Sequence, residues 1–279
     1  MAKPVKRAVD DADFLISAER YEGALVQLLV AVAASSTKMF PAGTSSIDAP
    51  AVRPGKFKEM GDGEKFKRFL GTRIRKLLLN DPFAPEDGRH GALIAFVQGL
   101  PHPEEVLYEQ YRNAMIHEGQ LPESITFSNE IEAEDSIGIS FGPSGVTFTS
   151  GLLTLLRRAV VEAPINGIEF GLAHYRVAPR AGLALADLLN ALASDFQTTP
   201  GRVSVLLSIL QEIGPPSVTA NDVSLRKLYA EAPGSRNAAG LQASHYGPPI
   251  CDGNGQLTDH GLSLARRLLE SCDFVNIAS

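Results

Sequence analysis

The chain contains no tryptophan, and only two cysteines, Cys251 and Cys272, in 279 residues. Two distant thiols without a CxxC pair exclude a disulfide framework and a standard zinc module, and they point to a reducing compartment. Long apolar runs are missing too. The longest, around Ala24 to Ala34, is interrupted by Gln27 and is too short to span a bilayer. The stretch from Met1 to Arg7 runs into acidic Asp10 and Asp11 without the apolar core of a signal peptide. A cytoplasmic protein with no membrane role is therefore expected. There is no GxGxxG after a strand, no glycine-rich loop ending in Lys-Ser/Thr, no GxSxG and no HExxH. No cofactor and no metal site is expected from such a chain.

What is present suits an ordinary globular protein, with 44% hydrophobic and 21% charged residues. The length allows two domains. A net charge of −6 argues against a protein that is basic all over, while leaving room for a local basic surface.

The stretch richest in chemistry is Tyr111-Arg112-Asn113-Ala114-Met115-Ile116-His117-Glu118-Gly119. Pro103, Glu104 and Glu105 make a favourable first helical turn, and Val106, Leu107, Tyr111, Met115 and Ile116 recur at helical spacing. Gly119 and Pro122 supply a stop. At about 100° per residue, Asn113 and His117 share a face, while Arg112 lies roughly 140° from His117. One helix does not aim both at the same atom, but two copies about a two-fold axis can. The helix C-terminus and Glu118 favour a charged imidazole at His117. An arginine that forks onto phosphate oxygens, beside a histidine that passes protons, is a minimal kit for cleaving RNA through its own 2′-hydroxyl.

Arg112, Asn113 and His117, with four residues between the arginine and the histidine, resemble the signature of the HEPN superfamily. The resemblance covers about the first half of the chain. It implies an all-helical core, a homodimer formed through those helices, and metal-independent ribonuclease activity of the kind found in toxin-antitoxin and phage-defence systems. The competing reading of the same residues is structural: Arg112 pairs with Glu109 or Glu105, Asn113 solvates the helix end, and His117 caps terminal carbonyls.

Between Arg53 and Lys76 the charge changes sharply. Arg53, Lys56, Lys58, Lys65, Lys67, Arg68, Arg73, Arg75 and Lys76 outweigh Glu59, Asp62 and Glu64, and Phe57, Phe66 and Phe69 are interleaved. One reading is an RNA-binding surface, with Lys65, Lys67, Arg68, Arg73, Arg75 and Lys76 holding the strand near the motif. The other is a solvated helix face, with Phe66, Phe69, Ile74, Leu77 and Leu78 turned inward.

Elsewhere the pattern is mostly helical. Asp10 to Ser36 reads as one long helix or two abutting ones, with Phe14, Leu15, Ala18, Tyr21, Leu25, Leu28, Leu29 and Val32 as its apolar stripe. Thr37 to Pro54 reads as an irregular loop, and Asp81 to Pro103 as a connection with one short helix at Ala92 to Leu100. His90 and His102 there read as surface residues. Ser124 to Phe127, Ile137 to Phe141 and Val146 to Phe148 alternate as strands, with a turn at Gly142-Pro143-Ser144-Gly145, so a small antiparallel sheet is expected. Glu130, Glu132 and Glu134 read as solvated edge charges rather than metal ligands. Helices follow at Leu152 to Val161, Pro179 to Phe196, Val203 to Ile213 and Asn221 to Glu231.

The segment Leu257-Thr258-Asp259-His260-Gly261-Leu262-Ser263-Leu264-Ala265, with Thr258 as an N-cap, resembles the helix that follows the wing in winged-helix proteins. Across residues 199–279, however, Arg202, Arg226, Lys227, Arg236, Arg266 and Arg267 face Glu212, Asp222, Glu231, Asp252, Asp259, Glu270 and Asp273, so no basic DNA-reading face stands out. The expected architecture is α+β, mainly α: a HEPN-like helical domain with a β elaboration over residues 1–165, a connecting segment with a helix over 166–198, and a winged-helix-like domain over 199–279. Two functions are carried forward. One is a dimeric RNA endonuclease using Arg112, Asn113 and His117. The other is a non-catalytic dimeric regulator that binds DNA or a protein partner through residues 199–279.

Overall fold

The computed structural model describes residues 3–49, 58–79, 102–112, 125–128, 139–142, 145–237 and 239–278. The fold is α+β and mainly helical. The chain divides into two compact units, residues 1–172 and 173–278.

The first unit opens with a helical hairpin. Helix α1 (Pro4–Ser17) places its proline in the first turn, where the missing N–H is no loss, and buries Val5, Ala8, Val9 and Ala12 at helical spacing. The chain then breaks over Ala18 to Arg20, with Glu19 in the left-handed region at φ 56°, and helix α2 (Tyr21–Met39) returns. That break resets the helical phase. A single stripe through Phe14 and Ala18 therefore does not form: Phe14 is 71% exposed, and Leu25, Leu28, Leu29 and Val32 carry the core of α2. Helix α3 (Asp62–Leu79) adds Phe66, Phe69, Leu70 and Ile74. Helix α4 (Pro103–Val106) continues into a π-helical turn, Leu107–Arg112. Helix α5 (Gly151–Val161) closes the core with Leu152, Leu153, Leu156 and Val160.

The strand segments fall near their expected places. Strand β2 (Ile139–Gly142) and strand β3 (Gly145–Thr149) pair antiparallel on either side of the anticipated turn. Strand β1 (Ile125–Ser128) joins the other edge of β3 in parallel, with Phe127 opposite Phe148. The carboxylates Glu130, Glu132 and Glu134 lie outside the described residues, as does the short helix expected at Ala92 to Leu100.

A loop that composition marks as irregular is tied down by one carboxylate. Glu64, on the first turn of α3, accepts hydrogen bonds from the Ser46 hydroxyl (2.7 Å), the backbone N–H groups of Ile47 (2.7 Å) and Asp48 (3.1 Å), and Arg68 Nε (3.1 Å). Burial alone would raise its pKa, but these donors hold it below the ordinary carboxylate range.

A second carboxylate closes the unit. Glu169 accepts from the Lys6 backbone N–H at 2.9 Å, which satisfies an orphan donor in the first turn of α1, and it pairs with Lys38 from the end of α2. Fully buried Asn166 donates to Ser35 Oγ (2.8 Å) and to the Val160 carbonyl (2.9 Å) beside it.

The second unit is a helical cluster fastened by a two-stranded sheet. Strand β4 (Tyr175–Pro179) pairs antiparallel with strand β5 (Cys272–Asn276), joining the two ends of the unit. Between them run helices α6 (Leu185–Asp195), α7 (Pro200–Ile213), α8 (Asp222–Glu231) and α9 (Asp259–Ser271). The helix expected from Pro179 therefore starts six residues later. Gly182, at φ 68°, turns the chain after β4, and Leu183 and Leu185 are left 55% and 41% exposed. Side-chain caps start three of these helices: Thr258 accepts from Gly261 N, as the sequence suggests, and Thr199 accepts from Arg202 N and Asn221 from Ser224 N.

Glu169 makes stability depend on pH. Burial pushes its pKa up, and the hydrogen bonds from Lys38 and Lys6, with the Lys38 charge, outweigh this and leave it below the ordinary 4.5. Its contribution is complete above that ordinary value and is lost as pH falls through the lower folded value. Glu169→Gln should cost about 1–3 kcal/mol near neutral pH by thermal unfolding. The gap from the unchanged protein should narrow as the pH drops below 4.5.

Candidate functional site

The helix leading into the Arg112 motif is built into the core of the first unit. His102 stands at its N-cap, and the His102 backbone N–H donates to Glu105 Oε2 at 3.2 Å. Val106 and Leu107 are buried at 5% and 0% exposure. Tyr108 lies on α3 with its ring centroid 5.3 Å from that of Phe66. Gly63 makes this possible, because a β-carbon there would come within 2.9 Å of the tyrosine ring. Lys67 of α3 reaches Glu109 at 3.5 Å.

From Leu107 the backbone widens into the π-helical turn, which ends at Arg112. A wheel drawn at 100° per residue therefore does not describe the approach to the motif, since a π-helical turn takes up an extra residue. The side chain of Arg112 lies outside the described residues, and so do Asn113 and His117 entirely.

The basic run of α3 divides between interior and ion pairs. Arg73 is 2% exposed, and its guanidinium donates to the carbonyls of Ala159 (3.2 Å, from Nε) and Glu162 (2.9 Å, from Nη2). It caps the C-terminus of α5 and is not available to a nucleic acid backbone. Lys65 is likewise buried, at 7% exposure, among the residues that α3 turns inward. Arg68 binds Glu64 and Asp48, with its side chain 13% exposed. Arg75 and Lys76 are half-buried and engaged in interactions of their own. The RNA-binding assignment thus fails for Lys65 and Arg73. Arg73 is drawn inward because the backbone carbonyls of Ala159 and Glu162 need donors. Nothing in the sequence signals the Arg73 contact, whose partners lie 86 and 89 residues away.

In the second unit an arginine plays a related part. Arg202, 6% exposed, donates from Nη1 to Thr198 Oγ1 (3.1 Å) and the Tyr246 carbonyl (3.1 Å), and from Nη2 to the Leu241 carbonyl (2.9 Å). This clamps the segment 241–246 onto the start of α7. Gly247, at φ 109°, brings the chain so close to Gln197 that a β-carbon would meet its carbonyl oxygen at 1.9 Å. Gln242, Ser244, His245 and Tyr246 are exposed, with the last two rings 4.3 Å apart.

The stretch after this segment makes a short turn. Cys251 bridges Leu257, and Asp252 Oδ1 accepts from the N–H groups of Asn254 and Gln256, both at 2.9 Å. Helix α9 follows. The Cys251 thiol lies 2.9 Å from the Tyr229 hydroxyl. Burial pushes both pKa values up, which keeps the thiol protonated and unreactive at neutral pH.

The cations of this unit are largely paired: Arg226 with Asp259, Arg266 with Asp222, Lys227 with Glu231, Arg267 with Glu270 and Arg180 with Asp273. Among the described residues no group of three or more His, Cys, Asp or Glu converges as a metal would require, and no helix is long and apolar enough to cross a membrane.

The chain is thus built of a helical unit carrying a small mixed sheet and a second helical unit pinned by β4 and β5. The chain belongs to the Rv1289 family, which matches residues 2–179. That match spans the whole first unit after its first residue and ends with β4 of the second. No curated protein and no solved structure matches it.

Arg73→Met separates the two roles proposed for this arginine. It should destabilise the first unit by about 1–3 kcal/mol, the cost of leaving buried carbonyls without donors. RNA affinity measured by filter binding below the unfolding temperature should not change.

Proposed function

We propose that the first unit is a HEPN-like, metal-independent RNA endonuclease that works as a homodimer. The observation that carries this reading is the docking of the helix that delivers Arg112. Val106, Leu107 and Tyr108 seat it against α3 in a helical core, and its path widens into a π-helical turn on entering the motif. Turns of that kind are uncommon and recur at functional sites.

In the proposed reaction His117 accepts the proton of an RNA 2′-hydroxyl, whose oxygen attacks the adjacent phosphorus. Arg112 neutralises the charge gathering on the phosphoryl oxygens, and Asn113 orients the histidine or the phosphate. The bond from phosphorus to the 5′-oxygen breaks, and that oxygen takes a proton from water while the His117 imidazolium releases its own to solvent. The products are a 2′,3′-cyclic phosphate and a 5′-hydroxyl. Lys67, Arg68, Arg75 and Lys76 remain candidates for steering the strand, with Lys65 and Arg73 removed from that set. A toxin-antitoxin or phage-defence role is the setting in which such an activity would serve.

A second reading is a non-catalytic regulator that acts through the second unit, and the pairing of that unit's cations favours a protein partner over duplex DNA. In a gel shift at low salt, duplex DNA should then bind no better than single-stranded RNA.

The endonuclease reading is tested with purified full-length protein, EDTA and a labelled RNA. Arg112→Ala and His117→Ala should each reduce cleavage by about 100-fold or more, and mixing the two variants should restore part of it. Cleavage by either single variant at the unchanged rate removes the assignment. Two inactive variants that stay inactive when mixed remove the shared site.

A further inference from the structure

The two edges of the sheet in the second unit are not alike. In the antiparallel register Val177 stands opposite Phe274, and the Ile277 N–H donates to the His174 carbonyl at 2.8 Å. Alternation in such a ladder then makes Arg176 with Val275, and Ala178 with Asp273, the bonded pairs. The backbone groups of Val177 on one strand, and of Phe274 and Asn276 on the other, therefore point away from the ladder. On β4 that outward edge is partly closed, at Val177 and Pro179. The Val177 N–H donates to Gln211 Oε1 at 3.1 Å, and Pro179 has no N–H to offer. On β5 no proline and no side-chain acceptor covers Phe274 or Asn276 among the described residues. Asp273 and Val275 beside them are exposed and Phe274 is only half-buried.

We propose that this edge receives β5 of a second copy of the chain, antiparallel about a two-fold axis at Phe274, which gives a continuous sheet in the order β4, β5, partner β5, partner β4. The register pairs the five-residue strand along its whole length, with Cys272 opposite Asn276 of the mate and Phe274 opposite itself. Asp273 then faces Val275, so no like charges meet. The phenyl rings fall on one face beside Tyr175, whose ring already meets that of Phe274 edge-on with centroids 6.2 Å apart. Pairing also relieves a weakness, since an isolated two-stranded sheet is marginal on its own. The contact is independent of the RNA-cleavage reading, because it uses none of the motif residues.

The test uses the full chain. Phe274→Cys should give a disulfide-linked dimer on mild oxidation, since a directly opposed antiparallel pair lies within bridging distance, at about 5.5 Å between Cα atoms. Val275→Cys should not, because it faces Asp273 of the mate. Adding Asn276→Pro to Phe274→Cys should abolish the cross-link, as it removes an outward N–H and leaves the inward bonds of Val275 and Ile277 in place. In the unchanged protein, hydrogen exchange at the Phe274 and Asn276 amides should slow as protein concentration rises. No cross-link at 274, a stronger one at 275, or exchange independent of concentration overturns the proposal. Concentration-independent exchange is also the result expected if another protein were the natural occupant of this edge.

Discussion

Buried helix ends need partners, and a few charged side chains supply them. Packing helices around a common core takes terminal N–H and C=O groups out of water, and each one left without a partner costs about 1–3 kcal/mol. Glu169 accepts from the first turn of α1, and Arg73 donates to the last carbonyls of α5. Arg202 does the corresponding service for the segment that follows α8, holding the Leu241 and Tyr246 carbonyls. A carboxylate is suited to helix N-termini and a guanidinium to C-termini, since each also complements the partial charge there.

The same demand reshapes the surface. The cations of α3 form a strongly basic cluster in one dimension, yet two of the six that look like strand-binding residues are interior and Arg68 is held by two carboxylates. The second unit repeats the pattern, with its arginines distributed among neighbouring aspartates instead of gathered on one face. Among the described residues, neither unit presents an uninterrupted basic surface of the kind that grips nucleic acid by charge alone.

The helix after Pro103 is seated on α3. Gly63, Phe66 and Lys67 form a bed on α3 for Tyr108 and Glu109, and the backbone runs on through the π-helical turn to Arg112. The second unit is organised differently. Its first and last strands meet, so its stability depends on closing a long loop, and Arg202 clamps the 241–246 segment onto the start of α7.

Much of the helical layout can be read directly from apolar spacing and caps. Thr258, Asn221 and Thr199 start helices where short polar side chains precede periodic leucines, and the hairpin of β2 and β3 turns at a glycine-proline-serine-glycine stretch. These features depend on neighbours a few residues apart, so local sequence suffices to specify them. Two abutting helices were one of the alternatives for the N-terminal stretch, but neither the place of the break at Glu19 nor the π-helical turn at Leu107 is signalled by apolar spacing. Pairing of β4 with β5, burial of Arg73 and Lys65, and the closure of α1 by Glu169 join residues separated by tens to more than a hundred positions. Spacing along the chain carries no record of such partners. Composition and periodicity therefore determined which segments are helices and strands, while tertiary packing alone decided which charges stay in water, since that depends on which backbone groups the fold has buried.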